Sequence, residues 1–196
     1  MSGGTGASTF AVNLAWELAT IDKDPPRVCL LDLDFQYGSV STYLDLPRKE
    51  AIFEILTDPG SADADSFVKS MQTFNEKLHV FTAPADMLPL EFVNSDNINR
   101  VLDIARANFD CVIIDMPSTI VQWTEAVLNH AHVYFALLEL ARGHIVHGFF
   151  EHYFDRPRLV RAKPALNLIV TVRAPARDAK RHAAAIVVPP RGPTAV

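Results

Sequence analysis

Two five-residue runs, Val28-Cys29-Leu30-Leu31-Asp32 and Cys111-Val112-Ile113-Ile114-Asp115, constrain this chain more than any other feature. Each is apolar until a closing aspartate, with no polar alternation. A strand wetted on one side alternates apolar and polar side chains, so an unbroken apolar run predicts a strand buried on both faces. Strands of that kind belong to parallel sheets, whose crossover connections supply the covering helices.

The segments between these runs agree with that architecture. Phe10, Leu14 and Leu18 recur at helical spacing, which predicts a helix over residues 8–21 that Pro25-Pro26 cannot continue. "EAIFEIL", "ADADSFVKSMQTF" and "WTEAVLNHA" read as helices, and another runs from a cap at Ser95 or Asp96 to about Ala107. "LHVFTAP", "VYFALLEL" and "ALNLIVTV" read as further strands, and Phe149 and Phe150 fit one more helix. The expected fold class is α/β, a three-layer arrangement around a mainly parallel sheet.

The chain opens "MSGGTGASTF". Successive amides of Gly3, Gly4, Thr5 and Gly6 can curl around a phosphate, and a helix starting near Ala7 aims its positive dipole end at the same place. The Ser8 hydroxyl then suits Mg²⁺, and that of Thr9 an α-phosphate oxygen. Against the pattern G-x-x-x-x-G-K-[ST], Gly6 and Ser8 fit, but Met1 replaces the first glycine and Ala7 the lysine. A tight glycine turn explains the cluster equally well. Asp32 and Asp34 stand two apart at a strand end, hence on one side of the pleat, and Asp115 ends the second acidic strand. Carboxylates beside a phosphate loop hold Mg²⁺ through water or position an attacking water. Alone, each aspartate is also an ordinary strand or turn cap. No strand precedes the loop, and an N-terminally truncated chain is the expectation.

"GGTGASTFAVNLAWELA", "VCLLDLDFQYGSVSTYLDL" and "FDCVIIDMPSTIVQWTEAVLNHAHVYFALLEL" together resemble the CpaE/TadZ branch of the ParA/MinD ATPases, over residues 1 to about 140. The resemblance implies a parallel-sheet P-loop domain (1–173) that binds ATP or ADP with Mg²⁺ and pairs as a homodimer through its nucleotide face. It implies a localisation and assembly role with the Flp/Tad type IVb pilus secretion machinery, in the cytoplasm at the inner-membrane pole, with membrane contact only through partners. Carried over by position, Gly3 through Thr9, with Ala7 among them, form the nucleotide loop. Asp34 is the carboxylate of the attacking water, Asp32 its partner, and Asp115 the Walker B aspartate. Ser8, Asp34 and Asp115 surround the metal. The deviant motif's two lysines fall at Ser2 and Ala7, so two cations that would offset the triphosphate are missing. Slow or absent hydrolysis is expected of such a loop. An active Mg-ATPase of the same class and a DNA-binding partition protein are the alternatives.

Charge bears on the last of these. Residues 1–155 carry a net charge of −13, and residues 156–196 carry +8. The acidic body disfavours nucleic acid, and the basic segment reads as a solvated Pro/Ala-rich tail over 174–196, with the flavour of a GC-rich gene read out of frame. That tail, ending "PPRGPTAV", cannot form an amphipathic membrane helix. Cys29 and Cys111 sit in apolar runs and read as buried thiols. The apolar runs are too short to span a bilayer, and a soluble chain is expected. His144, His147 and His152 lack a thiol or carboxylate at ligand spacing and read as surface or packing residues. Phe10, Trp16 and Trp123 read as helix-core residues.

Overall fold

The computed structural model of the chain describes residues 6–21, 23–49, 51–57, 64–139, 158–163 and 166–172. The elements run α1 (Ala7–Leu18), β1 (Val28–Asp32), α2 (Val40–Tyr43), α3 (Ala51–Thr57), α4 (Ala64–Ser70), β2 (Gln72–Thr73), β3 (Leu78–Phe81), α5 (Ser95–Asn108), β4 (Cys111–Asp115), α6 (Thr124–His130), β5 (Val133–Glu139), β6 (Arg158–Lys163) and β7 (Leu166–Val172). The main sheet has the order β2-β3-β1-β4. The three inner strands are parallel, and β2 is a short antiparallel edge. Every residue of β1 and β4 is buried, as unbroken apolar runs require.

The pleat sorts these side chains into two cores. Val28 and Leu30 of β1, Leu78 and Val80 of β3, and Cys111 and Ile113 of β4 face α1. That helix meets them with Ala11, Val12, Ala15 and Ala19, a stripe small enough to bring its backbone close to the sheet. On the other face Cys29, Leu31, Phe81, Val112 and Ile114 pack under α4, α5 and α6, with Phe67, Ile98, Leu102, Trp123 and Val127 filling the space between. Complete burial of a Leu, Ile or Phe side chain stabilises by roughly 1.5–3 kcal/mol, so each face of the sheet holds one packing layer in place. Cys29 and Cys111, on neighbouring strands, thus lie in different cores, and neither is in a disulfide.

Several expectations are corrected here. "VYFALLEL" and "ALNLIVTV" form strands outside the main sheet, in an antiparallel three-stranded sheet of order β5-β7-β6. For β6 and β7 the antiparallel pairing follows from length. Two residues separate Lys163 from Leu166, enough for a hairpin and far too few for a parallel crossover. Trp16 is 41% exposed and stands edge-on to Phe74 at 5.5 Å rather than in the core. Trp123 is buried but precedes α6 as its N-cap residue. Phe10 is half-buried against Phe135, ring centroids 5.0 Å apart. The cap of α5 is Asn94, not Ser95 or Asp96, because its Oδ1 accepts the Asn97 N–H at 2.9 Å. The predicted helix around Phe149, the histidines at 144, 147 and 152, and the tail over 174–196 lie outside the described residues. Among those described, no helix is long and apolar enough to cross a membrane.

Candidate functional site

The carboxyl ends of β1 and β4 and the amino end of α1 meet at one place. Parallel register sets Asp32 directly opposite Asp115. Two-residue periodicity then turns both carboxylates toward the α1 side, in line with Val28 and Leu30, Cys111 and Ile113. Asp32 is fully buried and Asp115 is 3% exposed. At the start of α1, Gly6 adopts φ +83°, a left-handed conformation that glycine takes without steric cost. Among the described residues no side chain caps the first turn there, so its amides retain the partial positive charge of a helix amino end. The Ser8 hydroxyl lies close enough to the Asp115 carboxylate to lower its proton affinity, which brings the helix start to the strand end. Asp115 Oδ2 is buried with no hydrogen-bond partner among the described residues.

Asp34 has left the strand, since β1 ends at Asp32. It therefore does not share the pleat with Asp32 as the two-residue spacing implied. Instead it opens a turn, its Oδ1 accepting the N–H groups of Gln36 at 3.3 Å and Tyr37 at 3.0 Å. Its charge still reaches the pair, raising the proton affinity of both Asp32 and Asp115. Asp32 accepts the Asp34 N–H on Oδ1 at 3.2 Å and the Val40 N–H on Oδ2 at 3.1 Å. Its two oxygens thus organise the 34–40 loop. Burial pushes the Asp32 carboxyl up to about 7, the Asp115 charge adds to the rise, and the two N–H bonds oppose it. Burial likewise pushes Asp115 up to about 6, against the effect of the Ser8 hydroxyl.

The residues fit a divalent cation. An orphaned buried carboxylate oxygen, a serine hydroxyl beside the same carboxylate and a second acidic side chain nearby form an all-oxygen donor set of the kind Mg²⁺ takes. Among the described residues no three His, Cys, Asp or Glu side chains converge, so a cation here would keep several waters, as Mg²⁺ commonly does. A positive ion would also reverse the local logic and release the protons that burial now retains. Ala7 is the exposed first residue of α1, next to Ser8, and Thr9 is exposed. Gly3, Gly4 and Thr5 lie outside the described residues.

Two participants escape a reading of the sequence. A Cβ on Gly38 would stand 2.5 Å from Ala83 Cβ, 2.6 Å from Asp32 Oδ2 and 2.7 Å from the Asp34 carbonyl oxygen, so only glycine lets the loop close over Asp32. Arg48 donates to Ser41 Oγ at 3.1 Å and to the carbonyls of Pro84 at 2.9 Å and Gly38 at 2.6 Å. A glycine four residues after Asp34 is a visible signal for the first; nothing local marks the second. Ser118 and Thr119 are exposed in the loop after β4.

The family described as AAA domain matches residues 1–142 of the chain. Sporulation initiation inhibitor protein Soj of Bacillus subtilis (strain 168) is 32% identical over 127 residues, which is 60% of this chain and 47% of Soj. A ParA family ATPase from Chlorobium tepidum TLS superposes with a TM-score of 0.57 at 22% identity, covering 67% of this chain and 54% of that one. The septum site-determining protein MinD of Pyrococcus horikoshii OT3, solved in complex with Mg-ADP, gives a TM-score of 0.51 at 18% identity, covering 67% of this chain and 51% of its own. The likenesses to solved structures show the fold, and the chain spans about half the length of each of these proteins.

Proposed function

Because this chain belongs to the AAA domain family, we propose that it works as a ParA/MinD-type, Mg²⁺-dependent ATP/ADP-binding switch with little or no turnover. The observation that carries the proposal is the buried Asp115 carboxylate, its Oδ2 unpartnered among the described residues, with Ser8 beside it at the start of α1. In this reading the amides of the α1 amino end and the residues before it receive the phosphates, which lie where the helix dipole favours negative charge. Ser8 and Asp115 hold the cation, Asp34 faces it through water, and Asp32 acts indirectly by shaping the Asp34 loop. Bound Mg²⁺ supplies charge neutralisation for the phosphates. Ala7 offers no cation where the motif lysine belongs, and a missing preorganised donor costs transition-state stabilisation of about 3–4 kcal/mol. The resemblance of the quoted segments to the CpaE/TadZ branch supports the finer role, a homodimeric localisation factor for pilus secretion proteins at the inner membrane.

Calorimetric titration of the full chain with ATP, with and without Mg²⁺, tests the reading. Saturable Mg²⁺-dependent binding is expected, with phosphate release close to the protein-free background. Ala7→Lys should tighten binding about tenfold, the gain of one charge-assisted hydrogen bond. No binding by the unaltered chain would remove the nucleotide assignment. Steady Mg²⁺-dependent phosphate release by that chain, equal to Ala7→Lys, would favour the active Mg-ATPase instead. A salt-sensitive shift of duplex DNA would favour the partition-protein alternative.

A further inference from the structure

We propose that Arg48 is a positioning residue, one that fixes where the Asp34 carboxylate stands by clamping the 38–41 segment. The inference rests on the reading of Asp34 as a cation-facing group. Arg48 spends its fork on three neutral acceptors in three segments: the Gly38 carbonyl in the loop, Ser41 Oγ in α2, and the Pro84 carbonyl beyond β3. No carboxylate is among these partners, so the guanidinium serves here to fasten backbone rather than to neutralise charge. A planar, rigid fork is suited to that task, and a lysine is not.

The same segment is also held by Asp32, through the N–H groups of Asp34 and Val40. Gly38 thus lies tight against the Asp32 carboxylate and Ala83 while its carbonyl is held by Arg48. The route back to Arg48 is itself built. Asp45 takes a left-handed φ of 50° after α2, and the Leu46 N–H bonds the Ser41 carbonyl at 2.9 Å. This six-to-one closure turns the chain so that Arg48 faces the loop it fastens. Asp34 therefore stands at the near end of a segment held by two side chains, and removing Arg48 leaves the segment to the Asp32 bonds and Asp34 to its own turn.

Amide hydrogen exchange of the ligand-free full chain, paired with ATP titration, tests this. In Arg48→Ala, amides of residues 36–46 should exchange about tenfold or more faster, with β4 unchanged. Arg48→Lys should behave like Arg48→Ala, since it keeps the charge and loses the fork; restored protection would overturn the clamp. It also carries the comparison if the alanine variant fails to fold. The ratio of ATP affinity with Mg²⁺ to that without should fall about tenfold, because a displaced Asp34 affects only the cation-dependent part. An unchanged ratio beside a uniformly less stable protein would leave Arg48 merely structural and overturn the proposal. If the unaltered chain binds no ATP, the nucleotide reading fails, and unchanged exchange over 36–46 would then overturn the clamp separately.

Discussion

Asp115→Asn should make the ligand-free protein more stable at pH 7.5 and abolish its thermal shift with Mg²⁺ and ATP. The unfolded chain ionises an aspartate near 3.9, whereas burial holds Asp115 protonated up to about 6. Between these values the folded state binds more protons, so stability falls as pH rises through the interval and the deficit is complete above it. The deficit attributable to this carboxylate is on the order of 3 kcal/mol, and an uncharged amide removes most of it. Asp32 shares the effect, because the Asp115 charge contributes to its raised affinity for protons. Urea melts from pH 4.5 to 8 should therefore show a downward slope in the parent protein that flattens in the variant. A variant that is less stable at pH 7.5, or that keeps its response to Mg²⁺ and ATP, contradicts both the electrostatic account and the cation assignment. The comparison exposes a trade in which a group that weakens the empty fold is the one the ligand requires.

Gly38→Ala should destabilise by about 3 kcal/mol, at the upper end of what overpacking costs. Its added methyl meets one side-chain carbon, one carboxylate oxygen and one backbone oxygen, all inside 3 Å, and none is the tip of a flexible chain. Relief requires the loop to lift off Asp32, which breaks the Val40 and Asp34 N–H bonds. Gly6 makes the contrast. It has φ +83°, and a methyl added there would meet no atom within 4 Å, so Gly6→Ala costs only the left-handed conformation, about 1–2 kcal/mol. Denaturant melts of the two variants separate crowding from conformation, and equal losses would contradict this assignment.

The main sheet is legible in the sequence because β1 and β4 obey a pattern with few solutions: apolar throughout, closed by an acid, flanked by amphipathic helices. The same pattern places Asp32 and Asp115 at strand ends, whereas the grouping of Ser8, Asp34 and Asp115 around a metal comes from the family resemblance. Legibility ends where the third dimension decides. "NSDN" holds four consecutive residues able to cap a helix, and Asn94 prevails through a bond that only the folded turn makes. Asp34 reads as a strand residue because period-two spacing says nothing about where a strand stops. Arg48 reaches Pro84 across 36 positions, a contact no local spacing encodes. The β6–β7 hairpin breaks the expected single sheet because link length outweighs the apolar pattern of its strands.

The pleat that parts Cys29 from Cys111 furnishes the molecule with two internal reporters, one per layer. An alkylating reagent reaches Cys111 when α1 lifts and Cys29 when the opposite helical layer parts from the sheet. Unequal labelling of the pair would tell which side of this protein breathes first.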